Sequence, residues 1–93
     1  MADTRLDMGV PANTWVNIYA VTGIPVGTAV DIFNKGTASC NLVIRATQPT
    51  VNTMGIPLGY ESAANYRHVS GGESGLWVFS AGTSTYLCVQ ETA

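Results

Sequence analysis

Residues 75–90, GLWVFSAGTSTYLCVQ, constrain the fold more than any other part of the chain. Leu76 and Val78 alternate with Trp77 and Phe79, and Tyr86-Leu87-Cys88-Val89 follows after the loop Ser80-Ala81-Gly82-Thr83-Ser84. Alternation over four to eight residues, rich in β-branched and aromatic side chains, is the signature of a strand. The spacing predicts a β-hairpin. Both of its faces are apolar, so it is expected to be covered on both sides, by another sheet and by the rest of the chain or another subunit.

The rest of the chain reads as the covering material. Residues 14–21 set Trp15, Asn17 and Tyr19 against Val16, Ile18 and Ala20 and predict a first strand. Gly23-Ile24-Pro25-Val26-Gly27 then bends the chain, Pro presetting φ for a type I turn. Residues 28–33 predict a second strand, with Val30 and Ile32 inward and Asp31 outward. Asn34-Lys35-Gly36 is a tight connection whose glycine is free to take positive φ. Residues 39–47 predict a third strand, with Cys40, Leu42, Ile44 and Ala46 toward the core and Asn41, Val43 and Arg45 away from it. The first half therefore reads as a meander.

Residues 48–59 are a long excursion that repeats the Gly-Ile-Pro-X-Gly bend. Residues 60–69 read as a loop followed by a strand, and 70–75 as a glycine-rich turn. Short strands with turn signals every 8–12 residues indicate an all-β domain. The expectation is a small antiparallel β-sandwich or β-barrel of six to seven short strands. It comprises a single β domain over residues 13–93 and an extended N-terminal arm over residues 1–12. Leu76, Val78, Leu87 and Val89 should form its core with Leu42 and Ile44.

Ninety-three residues suffice for one domain, which at this size buries roughly 60–70% of its unfolded surface. Hydrophobic residues make up 46% of the chain and charged ones 11%, against an average of about 25% charged. A surface so poor in Lys and Glu suits protein–protein contact and points to a homo-oligomer or a lattice component. The four basic residues, Arg5, Lys35, Arg45 and Arg67, are scattered singly. No stripe exists to neutralise a run of phosphates, so nucleic acid is not an expected partner. The opening Met-Ala-Asp-Thr-Arg-Leu-Asp has no apolar h-region, and no apolar run approaches the ~20 residues of a membrane helix. Synthesis in a cytosol and no membrane association are expected. Cys40 and Cys88 read as buried, reduced thiols.

Chemistry is sparse. A hydrolytic triad needs a nucleophile, a base and an orienting acid. The single histidine, His68, stands between Arg67 and Val69 with no G-x-S-x-G elbow anywhere. Asp31, Glu61, Glu73 and Glu91 are lone carboxylates, the two cysteines and one histidine lack metal-ligand spacing, and residues 70–75 lack the Lys-Ser/Thr of a phosphate cradle. No enzymatic activity, cofactor or metal is expected. Trp15, Tyr19, Tyr60, Tyr66, Trp77, Phe79 and Tyr86 admit two readings, core and interface packing or a sugar-stacking platform. In the arm, Leu6, Met8 and Val10 alternate with Asp7 and Gly9. That pattern suits an extended segment adding itself to a neighbour's sheet. Leu6, Met8, Val10, Trp15 and Tyr19 are therefore the candidate partner-binding residues.

The runs PANTWVNIYAVTGIPVGTAVDIFNKG, VIRATQP, the GIPL turn and GGESGLWVFSAG resemble small all-β structural proteins encoded in tailed-bacteriophage morphogenesis regions. The resemblance spans roughly residues 10–90. It implies a non-enzymatic virion protein, made in the host bacterial cytoplasm and assembled onto the particle in multiple copies. A capsid decoration (cement) protein fits best, bound to the major capsid protein or another virion protein as a homo-oligomer, a trimer included. The alternatives are a small tail or tail-fibre component and, of another class, a carbohydrate-binding β-sandwich module.

Overall fold

The computed structural model describes residues 6–51, 54–60 and 65–92. Their strands form two four-stranded antiparallel sheets, accompanied by one short helix. The first sheet holds β1 (Met8–Val10), β8 (Thr85–Glu91), β3 (Val30–Asn34) and β6 (Tyr66–Val69), in that spatial order. The second holds β2 (Val16–Asn17), β7 (Leu76–Phe79), β4 (Cys40–Ile44) and β5 (Ile56–Leu58). Among the described residues no strand pairs from one sheet to the other, so the sheets do not close into a barrel.

The shared core lies between them. Met8, Val10, Val30, Ile32, Val69, Leu87 and Val89 enter it from the first sheet, and Cys40, Leu42, Leu58, Leu76 and Val78 from the second. Leu76, Val78, Leu87, Val89 and Leu42 are buried as their alternation requires, and Val30 and Ile32 with them. Ile44 is not: it ends β4 opposite Leu76 and is 40% exposed. Ala46 is likewise exposed, beyond the end of that strand.

The predicted hairpin over residues 75–90 is instead an arch. β7 pairs with β4 and β2, whereas β8 pairs with β3 and β1. Residues 80–84 thus carry the chain between sheets. The expected meander gives way for the same reason, because β3 and β4 also belong to different sheets. Its connection is organised by buried Asn34, whose Nδ2 donates to the Ala38 carbonyl at 2.8 Å. Asn34 Oδ1 accepts from Gly36 N at 3.0 Å and from Thr85 Oγ1 at 2.7 Å. A Cβ at Gly36 would lie 1.9 Å from that hydroxyl, so the glycine answers to close approach rather than to positive φ. The two arches are joined further by Ser80, whose buried hydroxyl donates to the Ser39 carbonyl at 3.4 Å. Buried polar groups at this end are satisfied, which lets the backbone turn inside the protein without the cost of orphaned donors.

Two other expectations change. Over residues 14–21 only Val16–Asn17 is strand, and α1 (Ile18–Thr22) follows. Asn17 caps it by accepting from Ala20 N at 3.2 Å, and Gly23 closes it at φ 77, donating to the Tyr19 carbonyl at 3.0 Å. Ile18 and Tyr19 are both buried, neighbours that a strand would have sent to opposite faces. The extended arm is corrected for residues 8–10, which pair with β8 and bury Met8 and Val10 in the core; residues 1–5 lie outside the described residues. The second Gly-Ile-Pro-X-Gly run is not a bend but holds strand β5, so eight strands are formed by the described residues rather than six or seven. Pro57 is tolerated there because, among the described residues, β5 is an edge strand paired only with β4. β6 lies within the expected loop-then-strand segment, of which residues 61–64 lie outside those described.

Candidate functional site

The two sheets differ in what their outer faces carry. Behind the second sheet lies a further apolar cluster of Trp15, Val43 and Phe79, with Met54 and Trp77 packed against it. The Trp15 and Phe79 rings stand 5.1 Å apart, and Trp77 Nε1 donates to the Arg45 carbonyl at 3.1 Å. Both faces of β7 are therefore covered, as its two-sided apolar alternation demands. Val43 faces away from the shared core as expected and is buried in this outer cluster.

The outer face of the first sheet is open. The strand register sets Phe33 across from Cys88 on one side and Tyr66 on the other, and in the next row Asp31 across from Gln90 and His68. Phe33 is 39% exposed, Tyr66 49% and Tyr86 58%. The Phe33 and Tyr66 rings are 4.7 Å apart, tilted at 34°. Tyr86 sits across from Gly9, and a Cβ at Gly9 would lie 3.9 Å from its Cε1, in ordinary contact.

Asp31 is the polar centre of this face. Its Oδ1 accepts from the Tyr66 hydroxyl at 2.6 Å and faces His68 Nδ1 at 2.9 Å, while Oδ2 accepts from Thr92 Oγ1 at 2.9 Å. The Tyr66 hydroxyl first, then His68 and Thr92, hold the Asp31 carboxyl below its ordinary value, so it is ionised at neutral pH. Tyr66, as the donor, is moved up by the same bond. The arrangement ties the edge strand β6 and the end of β8 to β3. It leaves an ionised acceptor beside two exposed rings.

The sequence-derived candidates do not form one surface. Leu6 is 92% exposed, but Met8, Val10 and Tyr19 belong to the core between the sheets and Trp15 to the cluster behind the second sheet. Tyr19 is a packing residue whose hydroxyl donates to the Thr28 carbonyl at 2.8 Å. Leu6 stands at an open groove of about 500 Å³ lined by Asp7, Met8, Gly9, Val21 and Thr22. Beside it Lys35 Nζ meets Asp7 Oδ2 at 2.8 Å, an exposed pair.

Of the lone carboxylates, Asp31 has joined His68 across β3 and β6, and Glu61 lies outside the described residues. Sequence reasoning missed Phe33 and the Asp31–His68 pairing. Asp31 was legible as outward, but the register joining it to a residue 37 positions away was not. Cys40 is buried in the core and its thiol is pushed up to about 12 by burial, while Cys88 is half-buried on the open face. Among the described residues no three His, Cys, Asp or Glu side chains converge as metal ligands, and no helix is long and apolar enough to cross a membrane. In comparisons with known proteins, no family model, curated protein or solved structure matches this chain.

Proposed function

We propose that the chain is a structural protein of a tailed-bacteriophage particle, a β-sandwich that decorates the outer surface of the head in multiple copies. It acts by binding, without catalysis, and is made in the host cytoplasm before assembly onto the major capsid protein or a neighbouring virion protein. The resemblance of residues 10–90 and the charged fraction of 11% support this reading. The observation that carries it is the free edge of β1. There Leu6 and Val21 stand exposed beside the groove, while among the described residues β1 has a partner strand on one side only. An unpaired edge with flanking apolar side chains is what strand addition from a neighbour requires.

The attachment residues in this proposal are Leu6 and Val21, since Met8, Val10, Trp15 and Tyr19 are spent inside the fold. The intensity of this chain against the major capsid protein in purified particles tests the reading. Hundreds of copies per particle are expected; a few dozen or fewer would make it a tail component instead. Leu6→Asp with Val21→Asp should lower incorporation while leaving the circular dichroism spectrum unchanged. Full incorporation of that variant would remove the β1 edge as the attachment site.

A further inference from the structure

Among the described residues, three of the four exposed rings, Phe33, Tyr66 and Tyr86, share the open face of the first sheet, and Tyr60 lies past the end of β5; the exposed aliphatic side chains Leu6, Val21, Val26, Ile44 and Val51 lie at the β1 edge, at the bends and at the second sheet. A protein interface core mixes aliphatic and aromatic side chains around few charges. Rings alone, set beside an ionised carboxylate, match a ligand with one apolar face and hydroxyl groups around its rim.

We propose that this face binds a neutral pyranose sugar, packed against the Phe33–Tyr66 ring pair with hydroxyls hydrogen-bonded to Asp31 and His68. The hydrogen-bonding capacity left on Asp31 and His68 supports two such bonds. A carboxylate offers about four lone-pair sites. Asp31 Oδ1 uses its two on Tyr66 and His68, and Oδ2 uses one on Thr92, which leaves one for a ligand hydroxyl. With Nδ1 turned to the carboxylate, the exposed His68 ring has Nε2 left to exchange a hydrogen bond with a second ligand hydroxyl, which can donate or accept. The ring row and the acceptor row are two residues apart along each strand, about 7 Å, the scale of one sugar ring with its hydroxyls. The three hydrogen bonds on Asp31 hold Tyr66 and the carboxylate in place before any ligand arrives, which reduces the ordering cost of binding. Acidic sugars and phosphates are disfavoured, because Asp31 is ionised and neither row holds a lysine or arginine.

Amide chemical-shift titration of the ¹⁵N-labelled full chain with cellohexaose, maltohexaose and mannohexaose tests this, with a galacturonate hexamer as the acidic control. At least one neutral oligosaccharide should produce saturable shifts at Asp31, Phe33, Tyr66, His68 and Tyr86. Binding should weaken about tenfold or more in Phe33→Ala, which loses one stacking ring, and severalfold in Asp31→Asn. Leu6→Asp should bind as the parent does. The proposal is overturned if none of the three neutral sugars moves these amides, if Phe33→Ala binds unchanged, or if the galacturonate hexamer binds equally well. It is overturned too if Phe33→Ala loses particle incorporation without any sugar binding by the parent chain. Failure of Leu6→Asp to affect incorporation bears on the virion reading alone.

Discussion

Aromatic residues occupy the outer faces of both sheets, yet they meet opposite fates. Behind the second sheet, Trp15 from the β1–β2 crossing and Met54 from the long excursion after β4 close over Val43, Phe79 and Trp77. On the first sheet, Phe33, Tyr66 and Tyr86 remain exposed among Asp31, His68 and Gln90. The outward positions of β7 are wholly apolar, while those of β3 and β6 mix rings with polar groups. A strand whose outward residues are all apolar has to be covered by the chain's own links, even with Asn17 and Asn41 beside it on β2 and β4. A mixed face tolerates water and stays available for a ligand. Two sheets of equal size thus divide the work, one holding the fold and the other presenting a surface.

The largest test of that division is Phe79→Ala, expected to cost about 3–5 kcal/mol in a denaturant titration, the range for a buried aromatic. Phe33→Ala on the open face should cost under ~1 kcal/mol. Equal losses would mean that the first sheet's outer face is covered after all. Leu42→Ala, in the core that both sheets share, should cost about 2–5 kcal/mol. A value below ~1 kcal/mol would move β4 out of its place between β7 and β5. At the end where the sheets exchange strands, Gly36→Ala drives a methyl into Thr85 and should cost about 1–3 kcal/mol as overpacking. A neutral result would show that the arch has room to relax.

Smaller effects sharpen the polar half of the comparison. Asp31 has a lowered pKa in the folded state, so its contribution is present above the unfolded value of about 3.9 and is lost as pH falls through the folded value. The melting temperature should therefore fall below about pH 4, and Asp31→Asn should flatten that acid limb while changing little else in the profile. An identical acid limb in both proteins would show that the Tyr66, His68 and Thr92 bonds carry no stability. Thiol labelling is the mildest probe. Cys88, half-buried on the open face, should react in the native state; Cys40, buried and pushed up to about 12, should react only on unfolding. Native labelling of both would contradict the burial of β4.

Strand identity was legible where alternation ran with a single period. Leu76 and Val78 in β7, Val30 and Ile32 in β3, and Leu87 and Val89 in β8 all face inward as their spacing requires. Residues 14–21 show how that signal fails. Alternating apolar and small residues look like a strand, but the Asn17 cap and the Gly23 terminator outweigh five residues of weak preference, and α1 results. Those two end signals stand in the sequence at helical spacing and were the readable clue. For the candidate site the legible part was Asp31, outward on its strand; the alternation assigned no face to Tyr66 or His68 within residues 60–69.

What the sequence alone determined is local: an all-β chain, the inward side chains of its longer strands, and a surface of low charge. Its two-residue period survives any choice of strand partner, which is why it could not decide among partners. A five-residue link such as 80–84 closes a hairpin or spans an arch with the same flanking alternation. Only the tertiary structure decided for the arch, through buried Ser80, Asn34 and Thr85, whose polar groups are satisfied between the sheets. The same holds for residues 8–10, whose apolar alternation suits a neighbour's sheet as well as its own, and which β8 captures. Pairing is a non-local free-energy balance. It depends on which faces bury together across tens of residues, as in the register that brings Asp31 to His68, and no window of sequence contains that sum.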